Sequence, residues 1–207
     1  MVSTYGKIIS VNLRHNFIMP VLSTIAIFVV TPLLFNITSL QGRNVARPFE
    51  FFLSWMGVML LTPVFLPEQN KEIRDVIRSK KIDYLKVCGI RVCYSVVILV
   101  LFVTLFAGLM LRRESAVTMT CLYGGIGAAL LFGSVGLAAA GISDNTTIGY
   151  MAAMLYYLAN YGLKKKLGGF FLFSMSSGES ERLEWRFFGA LVLTVVAFIW
   201  IHRRQKQ

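Results

Sequence analysis

Histidine is nearly absent from this chain: only His15 and His202 occur among 207 residues. Both stand beside long apolar runs, and no HExxH pattern contains either, which argues against a zinc centre. The three cysteines, Cys88, Cys93 and Cys121, form no CxxC pair. In or beside apolar runs such thiols act as small buried hydrophobes rather than disulfide partners or metal ligands. The glycines of 124–136 are followed by no Lys-Ser or Lys-Thr, so there is no P-loop and no means of binding ATP in this chain alone. Charge is scarce too, at 15% of residues, where a soluble domain has about 25%. The apolar runs hold almost no ionisable group; Glu50 falls near the start of the second, at its outer interface. That scarcity argues against a proton relay, a sodium site built from carboxylates and a buried acid–base pair. With no catalytic pair in view, no bond chemistry is assigned to the chain, and it is not expected to be an enzyme.

What the chain has is apolar length. Hydrophobic residues make up 56% of it and the mean hydropathy is +0.66. One water-soluble core cannot hide that much apolar surface, and a bilayer is the simplest solvent for it. A helical span needs roughly 20 mainly apolar residues. Six segments qualify, at about 17–38, 49–67, 87–111, 117–142, 147–163 and 187–201, with Asp144-Asn145-Thr146 as an N-cap cluster for the fifth. The first is too long for a signal-peptide core, and no small-x-small cleavage site follows it. Residues 4–16 place Tyr5, Ile9 and Leu13 on one helical face, as an amphipathic helix lying in the interface would. The expected fold is a single all-α membrane domain over 1–207 with six transmembrane helices.

An even number of spans puts both termini on one side. Placing them in the cytoplasm puts 12 of the 21 basic residues inside, the weak bias of a multi-pass plasma-membrane protein. The net charge of +11 then reflects membrane orientation and anionic headgroups rather than nucleic acid. Lys164-Lys165-Lys166, on the other side, reads as a snorkelling helix end. Between the last two spans, LGGFFLFSM within 163–186 is too short to cross; it dips in and returns, or packs as a short helix at the outer surface. The fourth span is dense in small residues. Gly125, Ala129 and Gly133 are four apart, with Gly136 and Ala140 beyond them, the pattern by which helix backbones approach closely in lipid.

One stretch breaks the apolar monotony. In PEQNKEIRDVIRSKKIDYLKVC, residues 67–88, ten of the chain's 31 charged side chains fall between Glu68 and Lys86. Helix–helix connections usually take about 2–8 residues, so this one is longer than a turn requires. Ile73, Val76 and Ile77 are spaced i, i+3, i+4, with Glu72, Arg74, Asp75 and Arg78 on the other faces. An apolar ridge ringed by both signs of charge suits docking of a soluble protein better than lipid binding.

This layout resembles the permease subunits of ABC transporters, specifically the small six-span exporter type, over essentially the whole chain. In that family an amphipathic N-terminal helix precedes the first span, as 4–16 does here. The second span leads into a cytoplasmic coupling helix that docks on the ATPase subunit, where EQNKEIRDVIRSKKIDYLKVCGIRV stands. Glu68, Val76-Ile77, Ser79, Tyr84 and Arg91 fit its texture; Lys80 departs from it, where the family often has proline. The family also places short helical pieces between the last two spans, as at 163–186. The resemblance implies a half-transporter: two permease chains, identical or related, with two ATPase subunits that carry ATP and magnesium. It assigns docking to Glu68, Glu72, Ile73, Arg74, Asp75, Val76, Ile77 and Arg78. It also implies an amphipathic peptide or lipid-like cargo, as in subunits that export antimicrobial peptides or confer immunity to them. The competing readings are a self-contained secondary transporter or channel, and a membrane assembly factor.

Overall fold

The computed structural model describes residues 17–69, 84–178 and 183–205. Helix α1 is Ile18–Leu34. A helical path then runs from Gly42 to Pro67. It opens with a 3-10 turn, Gly42–Val45, and a π-helical turn, Pro48–Leu53, continues as α2, Ser54–Leu61, and closes in a 3-10 stretch, Thr62–Gln69. Beyond 70–83 come α3 (Tyr84–Arg112), α4 (Met119–Ser143) and α5 (Thr146–Leu163). A 3-10 stretch, Lys164–Phe170, and a run of turns over 172–178 lead to α6, Glu184–Gln205. There is no strand among the described residues.

Among the described residues, four helical segments are long and apolar enough to cross a membrane: Gly42–Pro67, Leu85–Arg112, Met119–Ser143 and Glu184–Arg204. The sequence suggested six, and the two remaining helices fall short for different reasons. Helix α1 has 17 residues. At 1.5 Å per residue it reaches about 26 Å, less than the ~30 Å of a hydrocarbon core. Its helix ends at Leu34, because Phe35 turns to extended backbone. Helix α5 has 18 residues, but Tyr150, Tyr156, Tyr157, Asn160 and Tyr161 dilute its apolar character. Its start follows from its cap: Asn145 Oδ1 accepts the Thr147 amide at 2.9 Å, satisfying a first-turn donor. Asp144 instead closes α4 in the left-handed conformation, φ 56°.

Helix α4 is the centre of the bundle and packs on α2, α5 and α6. Its small residues set the spacing. A Cβ added at Gly57 would stand 1.8 Å from the Ala129 carbonyl oxygen, and one at Gly133 would stand 2.4 Å from that of Gly57. The backbones of α2 and α4 therefore touch. Of the other small residues on α4, Gly125 lies against Phe49, Gly136 against Thr62, and Ala129 and Ala140 are fully buried. Hydroxyls on α1 are satisfied within the helix: Thr24 donates to the Pro20 carbonyl and Thr31 to that of Ile27. Both threonines are buried in the bundle, where no water can serve a hydroxyl and its hydrogen bond must come from the protein.

The perimeter is apolar. Ile18, Leu22, Ile25, Val29 and Leu33 are exposed on α1, Val97, Leu101 and Leu105 on α3, and Phe188, Leu191, Val195 and Ile199 on α6. Continuous apolar faces of this extent belong against lipid or another apolar surface. The chain is a membrane protein with an all-helical fold.

Candidate functional site: a buried polar clasp and the mounts of the charged segment

Glu50 is not at an interface. It is fully buried in the π-helical turn before α2, where Ser54 donates its hydroxyl to the Glu50 carbonyl at 2.7 Å. Its carboxylate accepts from three donors. Oε1 takes the Met175 amide at 2.9 Å and Arg186 Nη2 at 2.8 Å; Oε2 takes the Ser176 amide at 2.9 Å. Arg186, in the first turn of α6, is the largest fully buried side chain among the described residues. Its Nη1 donates to the Gly124 carbonyl at 2.9 Å. Besides Glu50, the carbonyls of Phe171 and Leu172 and the hydroxyl of Ser174 lie within 2.9 Å of its Nη2.

This corrects the placement of Glu50 at the outer interface and puts a buried ion pair where the apolar runs were expected to hold almost no ionisable group. The desolvation of such a pair costs several kcal/mol per ion, and close geometry with further hydrogen bonds is what offsets it. Here the further bonds run mostly to backbone, and they bind four parts of the chain: the turn before α2, α4 at Gly124, the 171–176 segment and α6. Asn160 on α5 adds a fifth. It is fully buried, donates to the Tyr156 carbonyl at 2.7 Å and accepts the Leu172 amide at 2.7 Å. The run LGGFFLFSM is thus drawn into the bundle, with Phe171, Leu172, Phe173 and Met175 buried. Phe173 stacks on Phe51 at 4.4 Å, and Tyr157 donates its hydroxyl to the Phe51 carbonyl at 2.9 Å. Every oxygen of the carboxylate is occupied, so the chemistry of this cluster is holding rather than reacting.

A second polar arrangement lies at the other end of the same helical path. Pro67 has no N–H, so within the 3-10 stretch the Val64 carbonyl lacks its i+3 donor. Arg91, buried on α3, donates Nη1 to that carbonyl at 3.0 Å. Gln69 Nε2 donates to Thr146 Oγ1 at 2.7 Å, tying the end of the stretch to the start of α5. Both flanks of the charged segment are therefore anchored in the bundle. Of the predicted docking residues, Glu68 falls in the closing 3-10 stretch. Glu72, Ile73, Arg74, Asp75, Val76, Ile77 and Arg78 lie outside the described residues, as does the amphipathic 4–16 segment.

The cysteines are free: Cys88 is buried, Cys93 exposed and Cys121 half-buried. No group of three or more metal-ligand side chains gathers among the described residues. Compared with family models, curated proteins and solved structures, the chain matches none.

Proposed function

We propose that the chain is the permease subunit of an ATP-driven exporter of the ABC type. In this reading six helices cross the plasma membrane, α1 and α5 included, with both termini cytoplasmic. Two such chains, or one with a related partner, form the path, and a separate ATPase subunit supplies ATP and magnesium. The cargo is an amphipathic peptide or a lipid-like molecule, suited to a bundle whose perimeter is apolar and whose charges are few.

The observation that carries the reading is the mounting of the charged segment. Between Gln69 and Tyr84 the sequence spaces Ile73, Val76 and Ile77 at i, i+3 and i+4 among charges of both signs. Both sides of this stretch are hydrogen-bonded into the bundle, Arg91 to Val64 and Gln69 to Thr146. These bonds tie the described flanks of that segment to α3 and α5, which in this reading is where a push from the ATPase enters the bundle. Under this reading Glu68, Glu72, Ile73, Arg74, Asp75, Val76, Ile77 and Arg78 hold the ATPase. The test is Ile77→Asp in the full chain. It should insert into the membrane as the parent does and no longer co-purify with the ATPase subunit; undiminished co-purification would refute the assignment.

A further inference from the structure

On its outward side α3 presents Leu101, Thr104, Leu105, Gly108, Leu109 and Arg112, at i, i+3, i+4, i+7, i+8 and i+11, one face of a helix. Together with Phe28 of α1 they line an open groove of about 480 Å³. Gly108 faces the open space of this groove: an added Cβ there would meet no atom within 4 Å. The Thr104 hydroxyl is turned back onto the Val100 and Leu101 carbonyls, so the groove wall is apolar.

The dimensions and the charge both point to an occupant. From Leu101 to Arg112 the helix rises about 16 Å, and half of a bilayer's hydrocarbon core is about 15 Å. Leu101 lies near the middle of the Leu85–Arg112 span and Arg112 at its end. The groove is thus one leaflet long, running from the midplane to the headgroup level. Arg112 is the one charged residue among the described residues that line it, and it is exposed. A cation at that level matches a phosphate. A second copy of a chain of net charge +11 is a poor source of the countercharge.

We propose that this groove is a seat for one anionic phospholipid, an acyl chain lying along Leu101–Leu109 and the phosphate on Arg112. The inference rests on α3 crossing the membrane and is independent of the exporter reading.

The experiment is native mass spectrometry of the full chain in mild detergent, titrated separately with phosphatidylglycerol and phosphatidylcholine. The parent should retain one phosphatidylglycerol in preference to phosphatidylcholine. Arg112→Ala should lower that preference by about fivefold, the effect of one basic residue at the surface, and Arg112→Lys should keep most of it. Gly108→Leu fills the groove where there is open space, so the bundle remains folded by circular dichroism while binding of both lipids falls. An unchanged lipid preference in Arg112→Ala, or unchanged occupancy in Gly108→Leu, overturns the proposal. So does a Gly108→Leu chain that loses self-association but keeps its lipid, since the groove would then be an interface between copies.

Discussion

Arg186 and Glu50 are 136 residues apart in the chain and 2.8 Å apart in space, with neither side chain reached by solvent. The pair closes α6 onto the π-helical turn before α2 and pins the segment before α6 between them. A contact this remote in sequence constrains the topology of the bundle, since every element from α2 to α5 lies within the loop it closes.

Removing one partner leaves the other charge buried. Glu50→Ala and Arg186→Ala should each destabilise the fold by about 3–5 kcal/mol, read as a lowered thermal midpoint in detergent. Replacing both by leucine should not restore stability. The amides of Met175 and Ser176 would lose their acceptor and the carbonyls of Phe171 and Leu172 their arginine donor, and a buried orphan costs about 1–3 kcal/mol. A double-leucine chain as stable as the parent would show that the pair acts alone and the backbone bonds add nothing.

The carbonyl of Val64 offers a narrower test. Arg91→Met should destabilise the chain by about 1–3 kcal/mol by orphaning that oxygen. Pro67→Ala returns a backbone N–H three residues downstream, so the arginine substitution should cost less in that background. A double-mutant cycle measures the coupling; zero coupling would mean that the Arg91–Val64 bond and the missing proline donor are unrelated.

Gly57 and Gly108 should respond oppositely to the same change. Gly57→Ala drives a methyl group into the Ala129 carbonyl, forcing α2 and α4 apart at a cost of about 1–3 kcal/mol or more. Gly108→Ala meets no atom within 4 Å and gains about 0.5–1 kcal/mol of helix preference. Thermal unfolding of the two variants side by side checks the sign of each.

The helical character of the chain, the extents of α3, α4 and α5 and the cap at Asn145 could be read from sequence because each depends on local pattern. The apolar runs, the glycine spacing on α4 and the polar Asp144-Asn145-Thr146 break all lie within a few residues of what they determine. Arg186 could not be read that way. It follows Glu184 and Trp185 at the edge of an apolar run, where an arginine is ordinarily a solvated helix end. What buries it is a carboxylate 136 residues earlier, together with backbone carbonyls that no pattern announces. The one available signal was that Glu50 and Arg186 stand near the starts of the second and sixth apolar runs, which the six-span expectation places at the same face. The Arg91–Val64 bond had a clearer trace, since Pro67 leaves a carbonyl to be satisfied and Arg91 opens the next helix. Helix α5 was the reverse case: its length reads as a span, while its tyrosines and Asn160 are spent on the polar clasp and the aromatic stack around Phe173.

The central claim is that the segment between α2 and α3 holds a separate ATPase. The measurement that tests it most directly is purification of the tagged full chain from its native membrane in mild detergent, with co-purifying proteins identified by mass. The account predicts a stoichiometric ATPase subunit carrying its own P-loop. A chain that comes through alone, under conditions that keep other membrane complexes together, would contradict it.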